Sequence, residues 1–356
     1  MNKKRELYSD ILKIIAIFLV VVIHVIALYR DKYFYTNGKY YALLTFVDSF
    51  TRIAVPIFFM ITGTFMLSKT TEKYSDYFKK RIPKLLIPFF LISIFYYIYE
   101  CNKVGASLSI KDFILAFLNG SIKYHFWYMY AIILIYLIIP FLQVLVQSLD
   151  RKKLLYLIII IFILSNVFNT TYLLTNRYGY GMLKAFTLPN IFSHINCLFI
   201  GYYLHKYEIS KNKRRVLGIL SIICICMIPV ADHFFVDGSR NDEMLVVTSI
   251  FPIIPAVFSY LFAKEYFKFK KETIFTKIIP IISSCTLYIY MIHVYIIEKF
   301  EKDLSKHWIS DGLKQDILRI ILVTIVSFII SLLISYIIVT IQNLITKLIF
   351  KKQEKK

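Results

Sequence analysis

An acid, a base and a histidine lie on one apolar stretch, YSDILKIIAIFLVVVIH, which covers residues 8–24. Asp10 and Lys13 are one helical turn apart near its start, and only Ile, Ala, Phe, Leu and Val separate Lys13 from His24. On a helix, the imidazole lies roughly 16 Å from the lysine, about half of a hydrocarbon core of roughly 30 Å. A histidine at that depth either forms a hydrogen bond to a neighbouring helix or takes part in proton transfer. Asp10 and Lys13 form either an interfacial ion pair or a base facing an anionic ligand.

An arginine lies in the second apolar stretch, FVDSFTRIAVPIFFMITGTFML, at residues 46–67. Arg52 follows Asp48 by four residues, which places the two side chains on one face of a helix. An arginine inside a span needs a partner, and that partner is either Asp48 or the carboxylate or phosphate of a ligand. Pro56 predicts a bend or break, and Gly63 predicts close packing against another helix.

A cluster of basic residues follows in KTTEKYSDYFKKRIPKLLIP, at residues 69–88. Lys80, Arg81 and Lys84 belong to it and lie where the third span begins. Such a cluster usually faces anionic lipid. It also suits the phosphates of a nucleotide-bearing acyl donor such as coenzyme A, and the sequence does not separate the two uses.

Two further groups of polar and aromatic residues fall at span ends or inside spans. His125, Trp127 and Tyr128 lie in KYHFWYMY, where they form either an interfacial aromatic belt or a platform on which sugar rings stack. His293 is a second deep histidine, in PIISSCTLYIYMIHVYIIEKF. A hydrogen bond between helices is the favoured interpretation of His293 when it is considered alone.

Composition defines the elements that must position these residues. Of 356 residues, 58% are hydrophobic and only 18% are charged, and the mean hydropathy is +0.64. Soluble domains are about one quarter charged, so the composition indicates a multi-pass membrane protein. We predict an all-α transmembrane helical bundle of about ten spans, two of them at residues 188–205 and 244–262.

The net charge of +21 is explained by where the basic residues lie. Lys and Arg are concentrated in alternate connections between spans, which predicts that both termini are cytoplasmic. The basic excess therefore reflects topology and attraction to the lipid bilayer, and no nucleic-acid partner is expected. The first span lacks a small-residue cleavage site and is predicted to be retained.

We predict one integral membrane domain over residues 1–356, with a core at about 8–345 and a basic cytoplasmic tail at 346–356. The five cysteines follow no disulfide or metal-binding pattern. The sequence contains no glycine-rich phosphate loop, HExxH or GxSxG motif. Any chemistry must therefore use groups in the membrane or at its surfaces, and neither a metal nor a permanently bound cofactor is expected.

Four stretches resemble, in order, the signature spans of the acyltransferase-3 family of integral membrane acyltransferases. They are YSDILKIIAIFLVVVIH, RIAVPIFFMITGTFML, HFWYMYAIILIYLIIP and SSCTLYIYMIHVYIIE. The resemblance runs from residue 8 to residue 298. Lys13 stands where the family commonly has arginine, Thr62 where it has serine, and Val294 where it has proline.

The resemblance implies transfer of an acyl group, commonly acetyl, from cytoplasmic acyl-CoA to a hydroxyl of an envelope glycan across the cell (plasma) membrane. It implies donor binding by Lys13 with Asp10, near the basic cluster, and it assigns His24 as general base or transient acyl carrier. Arg52 would stabilise an oxyanion or a donor phosphate. His125, Trp127, Tyr128 and His293 complete the predicted binding residues.

Two other classes of function use the same residues. A non-catalytic transporter or exporter of a small polar molecule or glycan would line its path with intramembrane charges. A membrane sensor or scaffold would use them only to join helices.

Overall fold

The structure, a computed structural model, describes residues 6–69, 73–176, 180–235, 249–269, 271–307 and 312–353. Most of these residues are helical and none of them lies in a strand, which confirms the predicted all-α class. The thirteen α-helices that it describes are α1 Leu7–Phe34, α2 Gly38–Thr51, α3 Ala54–Met66, α4 Tyr74–Val104, α5 Ile110–Leu118, α6 Trp127–Ser148, α7 Arg151–Phe162, α8 Phe168–Asn176, α9 Asn190–Lys206, α10 Lys211–Phe235, α11 Ile250–Tyr266, α12 Ile274–His307 and α13 Leu313–Gln353.

Eight segments of the described chain are long and apolar enough to cross a membrane. Two of them combine neighbouring helices: α2 with α3, and α7 with α8. The helices α9 and α11 lie where two further spans are predicted, and each has 17 residues. That length is at the lower limit of about 17–25 residues for a spanning helix. The count of ten spans and the cytoplasmic termini therefore stay predictions.

The second span is interrupted where the sequence indicates a break. The chain leaves the helix at Arg52 and Ile53, and α3 begins at Ala54 with Pro56 in its first turn. Proline is tolerated there because the first amides of a helix have no intrahelical acceptor. Pro83 and Pro88 lie instead inside α4, which is continuous through both. The break in the second span leaves Arg52 at a helix end inside the span.

The chain divides into two compact units, one of residues 1–64 with 155–356 and one of Phe65–Leu154. In the larger unit, α1 is the central helix and packs against α2, α11, α12 and α13. Its buried face includes Leu12, Ile17, Val21 and Val25, all at most 2% exposed. These residues recur at helical spacing, so the packing of α1 orients the polar side chains on the same helix.

A close crossing joins α3 and α9 within the larger unit. A Cβ atom at Gly63 would overlap the backbone carbonyl of Leu198, and one at Gly201 would overlap that of Met60. Each glycine therefore makes room for the other helix, and the predicted close packing at Gly63 is confirmed.

A chain of hydroxyl groups ties α1 to α3, α9 and α11 near the start of α1. Tyr8 Oη lies 3.2 Å from both Tyr260 Oη and His205 Nδ1, and Tyr260 Oη lies 2.7 Å from Thr64 Oγ1. Thr64 Oγ1 lies 3.1 Å from the Gly201 carbonyl oxygen, to which it can donate. Bonds of this kind join helices where water is excluded.

The smaller unit contains α4, α5 and α6. Phe89, Phe117, Phe126 and Tyr130 pack ring to ring in its core. Gln143 Nε2 donates to the Met66 carbonyl oxygen at 2.6 Å. Contacts between aromatic rings therefore form a large part of the core of this unit.

Candidate functional site

The structure brings the two deep histidines together. The ring centroids of His24 on α1 and His293 on α12 lie 5.0 Å apart, with 43° between the ring planes. His293 is fully buried, whereas His24 keeps part of its surface accessible. The sequence predicted both residues separately, but their contact joins positions 269 residues apart and had no local signal.

The backbone around His293 fixes the proton on one ring nitrogen. Nδ1 lies 2.7 Å from the Tyr290 carbonyl oxygen and 3.1 Å from that of Ile289. A carbonyl oxygen only accepts hydrogen bonds, so Nδ1 carries the hydrogen. In the neutral ring Nε2 then holds the lone pair, which makes it the nitrogen able to accept a proton. His293 is thus held in one tautomer beside His24.

A buried charge cluster lies further along α1 and is formed by Arg30, Asp48 and Arg52. Arg30 Nη1 donates to Asp48 Oδ2 at 2.9 Å, and both side chains are at most 1% exposed. Arg52 Nε donates to Asp48 Oδ1 at 3.1 Å, and its Nη2 pairs with Oδ2. Thr51 Oγ1 adds a hydrogen bond to Asp48 Oδ1 at 2.8 Å. The predicted Asp48–Arg52 pair is present, and Arg30 is an additional partner.

The cluster holds two guanidinium groups against one carboxylate, so it carries a net positive charge. Arg52 lies within electrostatic reach of the His24 ring. Its contacts to Asp48 use Nε and one N–H of Nη2, and a guanidinium has five donors. Arg52 therefore has donors left for an anionic group, and its side chain is 12% exposed.

At the other end of α1, Asp10 is buried and contacts α12. Ser283 Oγ donates to Asp10 Oδ1 at 2.6 Å, and Lys13 Nζ lies 4.0 Å from the same oxygen. The Lys13 side chain is 30% exposed and that of Asp10 is 3% exposed. The carboxylate is thus fixed by the serine, while the lysine reaches the surface.

Two acidic residues on α12 and α13 hold the far end of α1, and the sequence analysis did not single them out. Glu301 accepts from Tyr29 Oη at 2.9 Å and from Arg319 Nη2 at 2.5 Å. Asp316 accepts from Lys32 Nζ at 2.8 Å and from Tyr33 Oη at 2.5 Å. The sequence could have predicted the pair of Glu301 with Arg319. The two residues lie nine positions before and after residue 310, and residues at equal distances from the connection between two antiparallel helices come to lie side by side.

The remaining predicted site residues lie in the smaller unit. Lys80 and Lys84 are exposed on α4, and Arg81 stacks over the Tyr77 ring at 4.6 Å. His125 and Tyr128 are buried, with 1% and 8% exposed, whereas Trp127 is 45% exposed. His125 packs among aromatic rings, including that of Tyr96 at 5.6 Å. Of the three, Trp127 presents the most surface for stacking.

Metal chemistry has no candidate centre in the part of the chain that the structure describes. Groups of three or more His, Cys, Asp or Glu side chains able to hold an ion are absent there. The candidate functional site of this all-helical membrane protein is therefore the histidine pair together with the neighbouring charge cluster.

Comparison with known families places this protein. The acyltransferase-3 family model, described as an acyltransferase domain, matches residues 6–338. The chain belongs to this family, which confirms the resemblance and supports an acyltransferase activity.

Individual relatives are distant. A probable poly-beta-1,6-N-acetyl-D-glucosamine export protein of Staphylococcus aureus (strain Mu50 / ATCC 700699) is 24% identical over 311 residues, which cover 83% of each chain. An amino-acid racemase of Enterococcus faecalis is 24% identical over 294 residues, 76% of this chain. This chain spans only 37% of the racemase's length. No solved structure matches.

Proposed function

We propose that this protein transfers an acyl group, which we infer to be acetyl, from cytoplasmic acyl-CoA to a hydroxyl of an extracytoplasmic polysaccharide or other envelope glycan. The family supports acyl transfer, and the relatives named as glycan export proteins support a glycan acceptor. The protein would act as a multi-pass protein of the cell (plasma) membrane. It would use acyl-CoA as a substrate and no permanently bound cofactor.

The observation that carries this proposal is the contact between His24 and His293. Ionisable side chains inside spans are costly, and a histidine pair beside a positive cluster supplies both a base and an electrostatic stabiliser. In direct transfer, His24 takes the proton of the acceptor hydroxyl while the hydroxyl oxygen attacks the thioester carbonyl. The carbon–sulfur bond then breaks, and the coenzyme A thiolate takes up a proton.

In a second route, a nitrogen of His24 attacks the thioester carbonyl, and the carbon–sulfur bond breaks with release of the coenzyme A thiolate. The acceptor hydroxyl then attacks the acyl group held on the imidazole, the acyl–nitrogen bond breaks, and the imidazole takes up the proton of the hydroxyl. Both routes place negative charge on the carbonyl oxygen. The donors of Arg52 that Asp48 does not use would stabilise this oxyanion, or a donor phosphate. His293, with its tautomer fixed by α12, would hold the acceptor or orient His24.

Donor binding is assigned to the basic side chains. Lys13, with Asp10 held by Ser283, would contact the donor at the cytoplasmic end of α1. Lys80, Arg81 and Lys84 would supply further cations to its phosphates. His125, Trp127 and Tyr128 would bind the acceptor, with the exposed Trp127 ring as the stacking surface.

The test is transfer of label from radiolabelled acetyl-CoA to envelope glycan by the purified protein in proteoliposomes. His24→Ala is expected to abolish transfer, and His24→Gln to reduce it by about 10²–10⁴-fold, the usual contribution of a general base. His194→Gln is the matched control, because His194 is another buried histidine that packs on Phe59. Wild-type transfer by a correctly folded His24→Ala protein would refute the proposed role.

The export proteins among the relatives favour a second function, non-catalytic export of a glycan. The same proteoliposomes distinguish the two. Label in the glycan supports acyl transfer, whereas movement of unmodified glycan across the bilayer without label supports export.

A further inference from the structure

A groove between α10 and α11 has no role in the proposed reaction. It has a volume of about 900 Å³, and its lining includes Phe50 and Ile53, where the second span is interrupted. Ligand pockets usually measure about 300–1,000 Å³, so the groove is large enough for an organic molecule. All of its lining residues belong to the larger unit.

One end of the groove is basic. Lys211, Arg214 and Arg215 line it on α10, and Glu265 faces them from α11. Arg214 Nη1 pairs with Glu265 Oε2 at 2.8 Å. Within the described residues, neither Lys211 nor Arg215 has an ion pair, so this end of the groove carries excess positive charge. The predicted topology places it at the cytoplasmic surface.

The rest of the groove is mainly apolar, and part of its wall is exposed on the surface of the structure. From Lys211 to Ile225 along α10 it extends about 21 Å, which exceeds the roughly 15 Å depth of one hydrocarbon leaflet. Ile219 and Ile222 are 61% and 65% exposed along its wall. A Cβ at Gly218 would lie 3.0 Å from the Phe258 ring, so the glycine lets that ring approach α10 closely.

We propose that this groove binds an anionic glycerophospholipid, with the phosphate at Lys211 and Arg215 and one acyl chain along Gly218 and Ile222. Basic pockets between spanning helices on the cytoplasmic side recognise anionic headgroups, and the groove is long enough to hold an acyl chain through one leaflet. A soluble anion would use the basic end alone. The site is separate from the histidine pair, so it does not depend on the proposed reaction.

The experiment is titration of the delipidated full-length protein with phosphatidylglycerol or phosphatidylcholine of equal chain length, followed by native mass spectrometry. Wild type is expected to bind phosphatidylglycerol more tightly than phosphatidylcholine. Lys211→Gln with Arg215→Gln should weaken phosphatidylglycerol binding by about 30-fold, as expected for two cations at a membrane surface. The control, Lys152→Gln with Lys213→Gln, removes two exposed charges outside the groove and should bind as wild type does.

A second pair of variants tests the apolar wall without changing charge. Ile222→Trp fills the groove and should weaken phosphatidylglycerol binding. Ile223→Trp, at an exposed position outside the lining, should leave it unchanged.

Three results would overturn the proposal. They are equal affinity for the two lipids, equal losses in the groove and control variants, and displacement of phosphatidylglycerol by coenzyme A or inorganic phosphate, which would assign the basic end to a soluble anion.

Discussion

Two polar sites on α1 lie six residues, or about 9 Å, apart and are built in opposite ways. At Arg30 the charge meets a fixed carboxylate, and both groups are fully buried. At His24 the neighbour is another aromatic ring, and part of the histidine surface stays accessible. The difference separates two kinds of contact: Arg30 and Asp48 join α1 to α2 through buried charges, while His24 joins α1 to α12 and stays partly accessible to a substrate.

The strongest test of this contrast removes the shared carboxylate. Asp48→Ala leaves Arg30 and Arg52 buried without their counter-charge, and we expect the free energy of unfolding to fall by about 3–5 kcal/mol. Thermal unfolding of the purified protein and its accumulation in the membrane measure this. Asp303→Ala, which removes an exposed acid on α12, is the control. Normal stability in Asp48→Ala would mean that the cluster does not join the helices.

A smaller loss of stability is expected when the contact that Arg52 makes to Asp48 through two hydrogen bonds is replaced. Arg52→Lys keeps the charge but loses one of two hydrogen bonds to Asp48, so stability should fall by about 2 kcal/mol. Arg30→Lys is the matched variant. If Arg52 also contacts the substrate, transfer per folded molecule falls only in Arg52→Lys; equal transfer in both variants would restrict Arg52 to a structural role.

The third prediction concerns the histidine pair. His293→Phe keeps a flat ring beside His24 but removes the bonds to Ile289 and Tyr290 and the basic nitrogen. If His293 holds the acceptor, we expect KM for the glycan to rise about tenfold with kcat nearly unchanged, the pattern of lost uniform binding. Steady-state kinetics of acyl transfer measure both constants. A fall in kcat alone would instead indicate that His293 orients His24.

The smallest expected effect is at Thr51. Thr51→Val removes the hydroxyl that contacts the Asp48 carboxylate at 2.8 Å and the Asp48 backbone carbonyl at 2.6 Å. Because a hydroxyl has one hydrogen to donate and Asp48 keeps two arginine partners, the free energy of unfolding should fall by about 1 kcal/mol. Transfer by the folded protein should not change, since Thr51 lies on the structural side of the contrast. Thermal unfolding and label transfer are measured on the same preparations. A large loss of transfer by the folded variant would show that Thr51 also affects the reaction and would contradict its purely structural role.

Local sequence patterns predicted the helical class, the break near Pro56, the close packing at Gly63 and the pair of Asp48 with Arg52. Each depends on residues within a few turns of one helix. Arg30 was missed because the apolar stretch ends at Tyr29, whereas α1 continues to Phe34 and carries Arg30 into the packed interior.

Contacts between helices that are distant in the sequence were also not predicted. The pairing of Asp10 with Ser283 and that of His24 with His293 depend on how α1 lies along α12, which no single stretch encodes. The sequence identified most of the residues of the candidate site but not their partners. Roles within the site stay predictions, since they concern a substrate rather than a fold.

The crossing of α3 and α9 limits how these helices can move. Because Gly63 and Gly201 each receive the backbone of the other helix, sliding α9 along its axis would bring the side chain of Cys197 or Leu204, which share the face of Gly201, toward Met60. Rotation about the contact requires no such overlap. The two glycines therefore act as a pivot, and any opening of the larger unit during a working cycle would proceed by tilting α9 about this point and not by translation along it.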